Sequence, residues 1–453
     1  MATDNAEIPM SPQEARHLID TDLGPLASQF PTDPDVNLRL ARALRILAFG
    51  STPQEARQII DTQLGPLASR FPTNPDINRR VGTALANMAI WVTPEEARQI
   101  IDTELKPLAG RFPTNPDVSV PVAQALANRT AVAPPQEARQ IIDAELAPLV
   151  GRFPPTPDMN REYSNGLANL AQKVTPQEAR QIIDTELKPL VAQFPFDPEV
   201  AYALARALVD LADHVTPQEA RQVIDRELKP LVGQFPSDPA ANRELGRALA
   251  NLAATARPPE VRQIIDHELK PLVAQFPANA EVSHHLGNAL ANLTARVTPK
   301  ETRQVIDHEL VPLINQFPPN PDMGGQLARA LANMAAGVVP KEARQIIDHE
   351  LRPLVNQFPG SPGIARTFAG ALANLVSGVM PKEGKPIIDN DLGPFVSQFP
   401  PGHGVEKEYV RALTSLTNKV SFRQARSLIE DERNRFPGLV PEGFAKPGST
   451  KRN

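Results

Sequence analysis

The chain has 453 residues, 41% hydrophobic and 22% charged, which is enough apolar material for a continuous core and too much for a disordered chain. A net charge of −5 leaves no overall basic field to recruit nucleic acid or an anionic membrane, and the absence of cysteine removes disulfides, thiolate nucleophiles and Cys-based metal sites. The N-terminal stretch lacks a basic-then-apolar leader, and no apolar run reaches the roughly 18 residues a membrane span needs, so a cytoplasmic protein is the expectation.

Along the chain, proline at 12, 53, 94, 135, 176, 217, 258, 299, 340 and 381 marks a period of 41 residues without insertion. That period lies close to the roughly 40–47 residues of stacked helical units of the HEAT and armadillo kind. Residues 1–11 form a short N-terminal segment, 12–421 hold ten repeats, 422–436 a truncated capping repeat, and 437–453, without helical period, a disordered tail.

In the repeat from Thr52, Thr52-Pro53-Gln54-Glu55 is a capping box with proline at the first helical position, and Ala56, Ile59, Ile60 and Leu64 form its apolar side. Pro66 removes a helical N–H and ends or sharply kinks that helix, and Leu67 with Phe71 makes an i,i+4 pair on a short second one. Asn74-Pro75 opens a third helix whose core face is Ile77, Val81, Leu85 and Met88. Thirty-eight of the 49 prolines occupy the four boundary positions of this pattern, so proline is punctuation; Ala280 and His403 are the two misses. In the tenth repeat Glu383-Gly384-Lys385-Pro386 weakens the first helix.

The string Ile-Ile-Asp, then Pro-Leu-Val, a loop proline and Ala-Leu-Ala-Asn-Leu-Ala resembles the armadillo repeat of the importin-α and β-catenin type over almost the whole chain. The resemblance implies an all-α, right-handed superhelical solenoid of three-helix repeats, whose third helices line a concave groove where an asparagine binds the backbone of an extended peptide. That asparagine carries over at Asn87, Asn128, Asn169, Asn251, Asn292, Asn333 and Asn374, with Ile46, Asp210 and Ser415 in its place elsewhere. The family's flanking tryptophan does not; Arg42, Arg206, Arg247, Arg329 and Arg411 fill five of its positions.

Helical geometry puts both columns on a stripe of the third helix that avoids the core. A mid-helix asparagine asks for a hydrogen-bonding reason, and two readings stand: it meets a peptide backbone, or it forms a ladder between neighbouring repeats. The arginines suit carboxylates or phosphates, or simply solvate an exposed face; Arg206 and Asp210 are placed to neutralise each other. The most variable residues open the third helix, as in Asn78-Arg79-Arg80 and Ser283-His284-His285, where a patch read repeat by repeat or plain drift would both look the same. Arg57 with Asp61, repeated through Arg344 with Asp348, reads as a structural ion-pair ladder. His267, His308 and His349 read as solvated histidines, and Trp91 as a packing residue at a repeat junction.

No glycine-rich phosphate loop, HExxH, GxSxG or DxDxDG is present, and no catalytic residue, cofactor or metal is assigned. The expected function is a non-enzymatic scaffold that holds an extended, acidic peptide or protein segment in the groove. A nucleic-acid-binding helical repeat and a self-associating structural solenoid are the alternatives.

Overall fold

The computed structural model describes residues 11–317, 319–399, 404–436 and 438–440; residues 1–10, Pro318, 400–403 with His403 among them, Pro437 and 441–453 lie outside them. Every repeat folds as three α-helical segments, and no strand occurs among the described residues. In the second repeat they are Pro53–Ile59, Gly65–Arg70 and Pro75–Trp91.

Local chemistry explains each boundary. The Thr52 hydroxyl accepts from the Glu55 N–H at 3.4 Å while the Glu55 carboxylate accepts from the Thr52 N–H at 3.1 Å, satisfying two donors that the helix start leaves open. The same box recurs at Thr93, Thr175, Thr216 and Thr298, and Pro134, Val339 and Met380 make no side-chain cap at the equivalent places. Asn74 accepts from the N–H groups of Asp76 and Ile77 at 3.0 and 3.2 Å and so starts the third helix. Where Ala280 replaces the proline, Asn279 caps the helix in the same way.

The break expected at Pro66 takes an unanticipated form. The backbone stays right-handed helical, with Ile60 at φ −62°, ψ −50° and Gly65 at the same angles, and the Gly65 N–H bonds back to the Ile60 carbonyl in a π turn over Ile60–Leu64. Widening the turn relieves the clash of a proline ring with the carbonyl four residues back, so the first two helices run on as one rod. The same turn precedes the same proline in all ten repeats.

The rod buries Ala56, Ile59, Ile60, Leu64 and Leu67 against Ile77, Val81, Leu85 and Met88 of the third helix. By contact the chain divides into two compact parts, 1–241 and 242–453. In the first, the third helices Pro34–Phe49, Pro75–Trp91, Pro116–Val132, Pro157–Ala171 and Pro198–Asp213 pack in sequence; in the second, Ala280–Thr294, Pro321–Ala336, Pro362–Gly378 and Val405–Asn418 do.

The rods carry the ion-pair ladder. Arg57 binds Asp61 at 2.9 Å and also Glu104 of the next repeat at 2.6 Å, and Arg139–Glu186, Arg180–Glu227, Arg262–Glu309, Arg303–Glu350 and Arg344–Asp391 repeat that second contact 47 residues on. The intra-helix half was legible in the sequence; the inter-repeat half follows from the acid at the fourth place of the π turns, which the turn Ile60–Leu64 lacks, with Gln63 there.

At the C-terminal end, Gly384 and Pro386 do not prevent the helix Pro381–Ile387; Gly384 is buried, and a Cβ there would meet Leu416 and Val376 at 3.3 and 3.4 Å. The helix Phe422–Arg435 covers the last third helix, with the Tyr409 hydroxyl donating to Glu432 at 2.5 Å. Of the expected disordered tail only 438–440 is described, and Val440 there is buried. No helix among the described residues is long and apolar enough to cross a membrane.

Candidate groove face of the third helices

The polar stripe of the third helices holds every predicted site residue, and its asparagines do not all behave alike. Asn169 is 9% exposed; its amide donates to the Ala127 carbonyl at 3.0 Å and the Thr130 hydroxyl at 3.3 Å, and its oxygen accepts from Arg206 at 2.8 Å. Asn333 donates in the same way to the Ala291 carbonyl at 3.3 Å and Thr294 at 3.2 Å. Asn87, also nearly buried, accepts from Gln124 at 3.4 Å. Asn128 and Asn292 are half-buried and Asn374 is exposed, and none of these three has a side-chain hydrogen bond among the described residues; Asn251 is exposed.

A residue in the preceding repeat separates the two behaviours. Asn169 and Asn333 each find a threonine 39 residues upstream, where the sequence before the other five asparagines holds Ala48, Ala89, Ala212, Ala253 and Ala335. The hydroxyl and the neighbouring carbonyl together make a two-acceptor seat for the amide; alanine leaves only half of it. That signal is present in the sequence but is meaningful only once the helix spacing is known.

The arginine column is similarly engaged. Arg206 reaches back to Asn169 at 2.8 Å and to the Asn165 carbonyl at 3.4 Å. Arg329 donates to Asn288 at 2.7 Å and to Gln326, and burial lowers its pKa. Arg411 meets the Gly370 carbonyl at 3.0 Å and Glu408 at 2.8 Å, and Arg247 lies 3.2 Å from Glu244. Arg42 is half-buried, and among the described residues no acidic side chain comes within ion-pair range of it.

The variable openings of the third helices shape their own surroundings. In the C-terminal part Arg243, Glu281, His284, His285, Asn320 and Asp322 line a cavity of about 240 Å³, crossed by an Arg243–Glu281 ion pair of 2.6 Å. Burial, with smaller contributions from His284 and Arg247, pushes the His285 pKa down to about 4. In the N-terminal part, burial pushes the Glu162 carboxyl up to about 7, although Arg161 and Asn165 favour its charged form.

His267, His308 and His349 are exposed, and no cluster of three or more metal-ligating side chains occurs among the described residues. Trp91 corrects the expectation of junction packing: it is 68% exposed at the end of its helix, beside Ile90 at 45% and at the same edge as Phe49 at 61% and Val132 at 67%. The turn after Trp91 follows directly into the next capped rod, which leaves nothing to cover the indole.

No family model and no curated protein matches the chain. Among solved structures, an engineered protein is similar over 90% of this chain and 99% of its own, at 25% identity and a TM-score of 0.40. Importin beta is similar over 94% of this chain at 11% identity and a TM-score of 0.49, and the karyopherin Kap121p, crystallised with the extreme C-terminus of the protein phosphatase Cdc14p, over 93% at 13% and 0.34. The chain spans about half of each transport receptor, 55% and 50%. The architecture rests on the helix order and packing of the chain itself: it is an all-α tandem helical repeat of the armadillo and HEAT-like kind.

Proposed function

We propose that this chain is a non-enzymatic binding scaffold that holds an extended protein segment on the outward stripe of its third helices. One observation carries the reading: Asn128, Asn292 and Asn374 present amides with no partner among the described residues, at helical positions that do no core packing. An amide offers a donor and an acceptor side by side, the complement of one peptide unit, and an extended chain offers such a unit about every 6.7 Å on one face. Asn169 and Asn333, already seated on the preceding repeat, hold the stack and take no ligand. Nucleic acid is disfavoured by the net charge of −5.

The test is selection from a library of unstructured peptides, with affinities compared between the wild type and the Asn128→Ala/Asn292→Ala/Asn374→Ala variant. Selected peptides should bind the variant several-fold more weakly while its melting curve is unchanged, since each lost bond contributes about 0.5–1.5 kcal/mol. Equal binding to both proteins would remove the asparagines from the site.

A further inference from the structure

The first three repeats carry a surface unlike the rest of the stripe. Arg39 is exposed and Arg42 and Arg79 are half-buried, and among the described residues none of the three has an acidic side chain in ion-pair range. This stands out in a chain where the arginines of the rods are paired repeat after repeat. A guanidinium that is partly exposed and without an acidic partner is a fork that an incoming carboxylate can meet with two parallel hydrogen bonds.

At the C-terminal ends of the same helices lies the apolar edge of Phe49, Trp91 and Val132, each more than half exposed. Phe49 follows Arg42 by seven residues and Val132 follows Asn128 by four, so the edge continues the same helical stripe. Neighbouring packed helices lie about 8–10 Å apart, so the apolar residues form a row on the order of 20 Å long across three helices, beside a cationic patch on the first two of them, about one helix spacing wide.

We propose that this surface docks an acidic amphipathic peptide segment, its carboxylates on Arg39, Arg42 and Arg79 and its large apolar side chains on Phe49, Trp91 and Val132. The proposal rests on the scaffold reading above and gives it a location and a partner chemistry. Charge complementarity selects an acidic occupant. A nucleic acid fits less well: aliphatic Val132 and Ile90 interrupt the stacking platform that Phe49 and Trp91 begin, and the net charge of −5 gives no extended basic field to follow a run of phosphates.

Fluorescence anisotropy with four labelled probes decides it: a short peptide alternating glutamate and leucine, its glutamine–leucine counterpart, an oligoglutamate and a single-stranded thymidine oligomer. The glutamate–leucine peptide should bind most tightly. The Arg39→Gln/Arg42→Gln/Arg79→Gln variant should weaken it roughly tenfold and flatten its salt dependence, and Phe49→Ser/Trp91→Ser should weaken it with the salt dependence intact. Circular dichroism confirms that both variants remain folded. Unchanged affinity in the arginine variant overturns the proposal, as does thymidine binding of equal strength that the same variant abolishes. Affinity lost only in Asn292→Ala/Asn374→Ala would overturn this site and leave the scaffold reading standing; binding of no peptide at all would remove both.

Discussion

Asn128 and Asn169 hold equivalent places in successive repeats, yet only Asn169 finds a threonine, Thr130, 39 residues upstream. Replacing Asn169 with alanine strands the buried Thr130 and part of the Arg206 fork, and should cost about 1–3 kcal/mol, read as a lower urea midpoint. Asn128→Ala should stay within about 0.5 kcal/mol. Thr130→Ala, which removes half of the seat, should lower the midpoint in the same direction as Asn169→Ala, and the double variant should lose less than the sum of the two. The asparagine column was therefore legible from the period, but its division into seated and open amides was not, because it depends on a contact a whole repeat away. Glu162 gives a second residue-level test. Its folded pKa of about 7 lies above the ordinary 4.5, so its contribution to stability is complete below about 4.5 and lost as pH rises through 7. Relative to wild type, Glu162→Gln should gain stability at pH 8 and little at pH 5, measured as the difference in urea midpoint at the two values.

The capped rod is the unit of local structure, and the repeats that start after Pro134, Val339 and Met380 build it without a side-chain cap. Val339 and Met380 stand where Thr298 caps, each followed at the third helical position by a glutamate, Glu342 and Glu383, with no cap to complete a box. Val339 is 60% exposed, so Val339→Thr sacrifices little packing; it should restore the box and add about 0.5–2 kcal/mol, seen as a higher melting temperature. Where the box is present, bonds from the threonine hold the glutamates below their ordinary pKa, as at Glu55 and Glu301. Their contribution is therefore full above about 4.5 and fades as pH falls through the lowered values, so the repaired variant should lose its advantage in acid. Helix starts were legible because Thr-Pro and Asn-Pro fix them locally. The π turn was not: proline announces that a regular helix fails at Pro66, and only packing of Ile60 and Leu64 on the third helix decides between a break and a wider turn.

Within each compact part successive third helices pack on one another, and the bonds that join repeats recur at fixed offsets. Excising residues 176–216 joins Thr175 to Pro217-Gln218-Glu219, which preserves a capping box, and brings Glu227 to the place of Glu186 opposite Arg139. The shortened chain should keep the helical circular dichroism per residue of the parent, and an unfolded product would contradict neighbour-only packing. The period made this architecture legible over the whole length; the ladder of 47-residue contacts that enforces it became visible only when the rods were placed side by side. The same neighbour-only packing has a mechanical consequence. Under tension along either compact part, the load passes through the contacts between successive repeats, so repeats should peel away one at a time, each releasing about 140 Å of chain as it extends. The molecule would then yield gradually and recoil by re-docking the same rods, behaving as a spring whose travel is set by the number of repeats.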